Sequence, residues 1–414
     1  MFNILLPLLL ISLLFFRNHK LKQNWLSPSS LLLALYFLSI LLAYPYIVIF
    51  NEELVRQEQY IVASVMFCLL FLLFIYPFIS FKENCITEIV LPNKNILKLF
   101  SIIICILSIY SVIYFIPTTI LALTTSDIAA ARNAMVYQGD VIVNKTIYNT
   151  IAGTAASFYQ IPIILFFIYQ ILGQNKILKI LLFISSTSYI FFVFSAFGRD
   201  GIVFWFLSFL GIMGFFNSFL DKKKMKKIFM LLLIGAVIGG IGFMVITFSR
   251  FEEAPYNAII SYMGQGIPNF FLAYEADAPI INGASFPLFR ALMVLPEDTD
   301  KSVQMYYLER AGTYSWVFGT FLKEFILSLG VVGTVLLGLS MFLIFKTIVR
   351  NRSQVTFSSL FVYFLYFQIL YQGVFYFRQA NRVGNLLIIV CFVLSFLFML
   401  LSKLDKNKII IKKQ

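Results

Sequence analysis

Arginine and lysine carry the same charge but not the same chemistry, and this chain separates them. A guanidinium is a planar, permanently charged fork that grips phosphate or carboxylate through paired hydrogen bonds. An ammonium acts as a point charge. Eight arginines (Arg56, Arg132, Arg199, Arg250, Arg290, Arg310, Arg378 and Arg382) fall in polar segments that hold only 3 lysines. The remaining polar segments hold 18 lysines and 3 arginines, Arg17, Arg350 and Arg352. If charge alone mattered, the two types would partition alike. The arginine-rich set points to an anionic ligand, such as a lipid diphosphate or an acidic sugar. Pairing with nearby acids and snorkelling at an interface are the alternatives.

Position sharpens the set. Arg199 lies in Phe197-Gly198-Arg199-Asp200-Gly201, a tight turn between two apolar runs, with Asp200 at hand to neutralise it. Arg250 directly follows an apolar run, and Arg378 and Arg382 share the short segment Phe377-Arg378-Gln379-Ala380-Asn381-Arg382. Arg199 and Arg250 are the candidate catalytic arginines; Arg132, Arg290, Arg310, Arg378 and Arg382 are candidates for holding substrate. Glu252 and Glu253 stand just after Arg250 and are the best-placed acids for proton transfer, ahead of Glu275, Asp277, Glu309 and Asp200. The sole histidine, His19, sits among lysines and reads as an ordinary loop residue. Asp298-Thr299-Asp300 has the form of a metal-binding pair, but so short a pattern recurs by chance, and no metal site or cofactor is expected. Phosphate loops, zinc motifs, serine-nucleophile motifs and dinucleotide fingerprints are absent from the sequence. The four cysteines match neither a disulfide framework nor a zinc site.

The elements that must position these residues are membrane spans. Hydrophobic residues make up 60% of the 414 positions and charged ones 12%, against roughly 25% charged in a soluble domain. The sequence therefore predicts one all-α, polytopic membrane helix bundle covering 1–414. A crossing takes about 20 apolar residues. That criterion places about eleven spans (10–12), near 1–16, 29–50, 60–81, 99–116, 151–172, 180–196, 201–220, 228–248, 328–345, 357–376 and 384–402. The net charge of +13 is no sign of nucleic-acid binding, because the charges alternate with apolar runs. They follow the positive-inside rule. With the N-terminus outside, the inner loops carry 21 basic and 4 acidic residues, and the outer segments 11 and 15. No basic residue then falls within a span, and the C-terminus is cytoplasmic. Two outer segments are long. In 117–150, Ser126 to Ala134 reads as a short helix carrying Arg132. The segment 249–327 reads as a large loop of short helices over the membrane domain. Gly235 and Gly239, four apart, predict close helix packing.

In overall form and in three local stretches the chain resembles the O-antigen polymerases, the Wzy-type oligosaccharide repeat-unit polymerases. The stretches are Ser195 to Gly201, Arg250 at the start of the large loop, and Phe325-Ile326-Leu327-Ser328-Leu329-Gly330-Val331-Val332-Gly333 entering the span after it. The paired Arg-x10-Gly pattern of some relatives is absent. So is the outward histidine of the O-antigen ligases, which argues against that activity. The resemblance implies a metal-independent glycosyltransferase of the bacterial inner membrane. It would transfer a growing glycan from undecaprenyl diphosphate to the next lipid-linked repeat unit, in lipopolysaccharide or other polysaccharide biosynthesis. Implied partners are the undecaprenyl-diphosphate-linked oligosaccharide, a polysaccharide chain-length regulator (co-polymerase) and membrane lipid. A lipid-linked oligosaccharide flippase or another lipid-sugar glycosyltransferase is the alternative.

Overall fold

The computed structural model describes residues 2–50, 60–125, 146–248, 255–276, 285–292, 309, 318–349, 353–404 and 407–413. It is all-α, with 82% of the described chain helical. The long apolar helices are α1 (Phe2–Lys22), α2 (Pro28–Phe50), α3 (Tyr60–Ile79) and α4 (Lys94–Thr124). There follow α5 (Ile147–Ser157), α6 (Gln160–Leu172), α7 (Lys176–Ser186), α8 (Ser188–Phe194), α9 (Asp200–Phe216) and α10 (Lys222–Phe248). The short helices α11 (Pro255–Gly264), α12 (Gly266–Glu275) and α13 (Pro287–Leu292) fall in the large loop, as the sequence predicts. Helices α14 (Phe321–Ile348), α15 (Phe357–Gln372) and α16 (Arg382–Leu404) complete the set.

Among the described residues, 8 helices are long and apolar enough to cross a membrane, or 9 if α5 and α6, bent by 46° at their junction, count as one broken span. The eleven predicted spans exceed this for two reasons. Helix α15 has 16 residues, about 24 Å at 1.5 Å per residue, short of a hydrocarbon core of about 30 Å. Helix α10 lies where the eighth span is predicted, but most side chains of its C-terminal half fall outside the description. The chain is a multi-pass membrane protein by the length and composition of its helices.

The fold divides into two compact units, each assembled from separated stretches of chain. Unit 1 comprises 1–83, 256–351 and 362–389. Its core is aromatic: Phe67, Phe71, Phe74 and Phe78 along α3 meet Phe270, Phe321, Phe325 and Tyr363. Helix α14 approaches α3 closely because position 338 is glycine; a methyl there would lie 2.6 Å from Leu73 Cδ2. At Gly235, by contrast, a methyl meets open space, so the predicted packing at the Gly235–Gly239 spacing is not seen on that side.

Unit 2 comprises 84–255, 352–361 and 390–414. Its helices pack through Phe166, Phe167, Phe209 and Phe216. Two side-chain pairs within it satisfy each other, as an apolar surrounding favours: Gln160 Nε2 donates to Ser208 Oγ at 2.9 Å and Trp205 Nε1 to Ser186 Oγ at 3.1 Å. Three short strands form a sheet in the order β2-β1-β3. They are β1 (Glu88–Leu91), β2 (Gln354–Thr356), parallel to it, and β3 (Ile409–Lys412), antiparallel. Each strand comes from a segment that the charge count assigns to the inner face.

The first helix runs six residues beyond the predicted span, carrying Asn18, His19 and Lys22 with it. His19 is therefore no loop residue; its ring lies 3.6 Å from that of Trp25. Lys22 is buried, with Nζ 3.2 Å from Glu83 Oε1 and 2.6 Å from Ser29 Oγ. Tyr363 donates to the same Glu83 oxygen at 2.5 Å. Removing one partner strands a buried charge, so Lys22→Met costs about 3–5 kcal/mol. Lys22→Met combined with Glu83→Met costs far less. Thermal unfolding of the purified protein in detergent measures both, and equal losses would contradict this account.

Candidate functional site

In unit 1, four chain breaks close on one another. The first is at Gln265, between α11 and α12; the others are the start of α14, the end of α15 and the start of α16. Thr320 N–H donates to Gly266 O at 3.3 Å, and Phe321 N–H to Gly373 O at 2.8 Å. Glycine at 266 permits this approach, since a methyl there would lie 2.8 Å from Val374 O. The breaks also turn amide side chains inward. Asn269 Nδ2 donates to Phe318 O at 2.6 Å, and Gln379 Nε2 to Gln372 Oε1 at 2.8 Å. Asn385, fully buried, donates to Gln379 O at 2.7 Å and Ser285 O at 3.3 Å, and accepts from Leu288 N–H at 3.3 Å. Ser285 and Ser328 hydroxyls lie 2.6 Å apart. In the first turn of α14, Lys323 is wholly buried. Two buried oxygens, Thr320 Oγ1 and Gln379 Oε1, accept or donate no hydrogen bond among the described residues.

Three of the predicted arginines come to this end. Arg382 opens α16 and is exposed, behind a cap in which Asn381 Oδ1 accepts from Gly384 N–H at 2.8 Å. Arg378 lies one residue before the buried Gln379. Its Nη1 donates to Tyr376 Oη at 3.0 Å, and its guanidinium lies 5.6 Å from that ring. Tyr376 in turn stacks on Phe318 at 5.3 Å. Arg290, half-buried, lies on α13, two residues after the Leu288 that bonds Asn385. The result is a cationic end: Lys323, Arg290, Arg378 and Arg382 against Glu275 and Glu324. Glu275 closes α12, and loss of hydration raises its carboxyl above the usual range.

Arg199 belongs to unit 2. The predicted tight turn is there, held by left-handed Phe197 (φ 53°) and by Gly198 N–H donating to Val193 O at 2.9 Å. Small residues are needed because a methyl at Gly198 would lie 2.6 Å from Val193 Cγ1. Arg199 itself is 6% exposed at the cap of α9, more enclosed than a headgroup-gripping surface residue would be. Arg132, Arg250, Arg310, Glu252, Glu253, Asp277 and the Asp298–Asp300 pair lie outside the described residues, as does the predicted helix from Ser126 to Ala134. Among the described residues no group of three His, Cys, Asp or Glu is placed to hold a metal.

Charge counting missed Lys323, which it assigned to the outer loop rather than to a helix. It also passed over Gln265, Asn269, Gln372, Gln379 and Asn385, which carry no charge. Their signal was present in Gly264-Gln265-Gly266 and Gln372-Gly373, amides beside glycines in otherwise apolar sequence. No family model, no curated protein and no solved structure matches the chain. Asn385→Leu removes three hydrogen bonds at once, at about 1–3 kcal/mol for each buried partner left unsatisfied. Hydrogen exchange of the peptide spanning 286–292 should accelerate at the Leu288 amide; unchanged protection would show that Asn385 does not hold α13.

Proposed function

We propose that the chain is an oligosaccharide repeat-unit polymerase of the bacterial inner membrane, working at the outer face on undecaprenyl-diphosphate-linked glycans. Arg290, Arg378 and Arg382 lie on segments that Asn385 ties together, and this juxtaposition supports the reading. The acceptor hydroxyl oxygen attacks the anomeric carbon of the growing glycan, and the bond from that carbon to the diphosphate breaks. The diphosphate leaves with the bonding electrons. Arginines aimed at it stabilise the developing charge most where water is sparse. The hydroxyl proton passes to a carboxylate, for which Glu275 is the candidate among the described acids.

An eleven-span topology with the N-terminus outside supports the assignment of that end to the outer face. Strands β1 and β2 share a sheet, so the chain between them crosses an even number of times. Helix α4, the α5–α6 pair, α7–α8, α9 and α14 make five; α10 as a crossing makes six. Strands β2 and β3 border the same sheet, which supports reading α15 and α16 as a crossing out and back. Three spans precede β1. A second reading, a transporter of the same lipid-linked glycan, draws on the broken helices and on Lys323 within α14, features that transporters place at their binding sites. It predicts translocation with no new glycosidic bond.

Purified protein given a lipid-linked repeat unit should build a ladder of longer glycans in the presence of EDTA. Arg378→Ala and Arg290→Ala should each slow ladder growth by about 10²–10³-fold, and Arg378→Lys by less. A ladder unaltered in these variants would defeat the site, and translocation without a ladder would favour the transporter. Glu275 must be ionised to take the proton. Its pKa is raised, so the rate should fall as pH drops through a value above the usual carboxylate range. Glu275→Gln should abolish that limb, and an unchanged pH profile would remove Glu275 from the role.

A further inference from the structure

We propose that unit 2 holds a specific anionic phospholipid at the end of α4 that adjoins the strand sheet, a site separate from the arginine-bearing end of unit 1 and independent of the polymerase reading. A cavity of about 380 Å³ opens there, with Lys94 and Lys98 on one side, Asn175 at the start of α7, and Leu97, Leu172 and Ile409 as its apolar wall. The chemistry is split as a phospholipid is split. Lys94 and Lys98 lie one turn apart on α4, both exposed, and neither pairs with an acid among the described residues. Asn175, in the left-handed region at φ 55°, starts α7 without a side-chain cap bond and lines the same cavity. Amide donors, a helix N-terminus and two ammonium groups together suit a phosphate monoanion.

Apolar side chains are also exposed along the two helices that meet there. Leu99, Ile102 and Ile106 on α4 are 61%, 38% and 63% exposed, and Ile177 and Ile180 on the neighbouring α7 are 72% and 60% exposed. These positions recur at helical spacing down two packed helices, a surface that acyl chains anchored by their headgroup would cover. A soluble phosphate compound would use the lysines but leave the Leu97, Leu172 and Ile409 wall unexplained. An apolar wall beside the two lysines commits the site to a lipid.

The full chain, stripped of lipid in detergent, is titrated with dioleoyl phosphatidylglycerol and with the phosphatidylcholine of the same chains, and bound lipid is counted by native mass spectrometry. The wild type should prefer phosphatidylglycerol. Lys94→Gln/Lys98→Gln should lower that affinity about thirtyfold, the worth of two interfacial lysines, to the phosphatidylcholine level. Lys222→Gln/Lys223→Gln, in the basic run of α10, should alter it less than twofold. Leu172→Trp, which fills the cavity without touching a charge, should lose binding too and covers the case in which the double variant fails to fold. Equal affinity for the two lipids, retention of phosphatidylglycerol in both the lysine and Leu172 variants, or its displacement by millimolar inorganic phosphate would each overturn the site.

Discussion

A helix that ends leaves backbone groups without intrahelical partners, and where burial excludes water the protein must close them itself. Unit 1 meets that constraint by pairing its breaks with each other. The start of α14 donates to the break between α11 and α12 and to the turn after α15. Asn269, Gln372, Gln379 and Asn385 satisfy much of what remains. The polar interior is therefore first a consequence of ending helices in an apolar place. Once it exists, Lys323 can be buried beside it, and arginines at the neighbouring helix ends can face one locality.

Much of the architecture was legible from composition. Runs of Leu, Ile and Phe set the helices because no other element satisfies its own backbone in lipid, and the charge asymmetry sorted the loops. Three segments that this sorting assigns to one face hydrogen-bond in a single sheet. Boundaries were less legible. Residues 17–22 looked like a loop because Arg17, Lys20 and Lys22 interrupt the apolar run, yet α1 continues because Asn18 and Lys22 find Ser29, Ser30 and Glu83. No single-sequence pattern announces a partner 61 residues away.

The candidate site was legible in its arginines and not in its frame. Arg378 and Arg382 were singled out by sharing a short turn, and Arg290 only by residue type. What unites them is Asn385, which reaches both Ser285 and the backbone at Gln379. Its importance comes from long-range geometry, so sequence inspection passed over it. Glycine spacing misled in the other direction: the Gly235–Gly239 pair drew notice, while the close contact at Gly338 depends on Leu73 across the helix interface.

The small sheet carries a consequence for biosynthesis. Glu88 and its partner Gln354 are 266 residues apart, and Asn84 and Lys413 are 329 apart. At about 5–20 residues per second, β1 leaves the ribosome tens of seconds before either neighbour exists. Its four-residue length and the charge of Glu88 limit what else can pair with it meanwhile. When β2 and then β3 arrive, they can add to β1 only if every intervening helix has been inserted with the correct handedness of crossing. The sheet thus works as a late proof of assembly: three strands from distant parts of the chain meet, or the register is never completed.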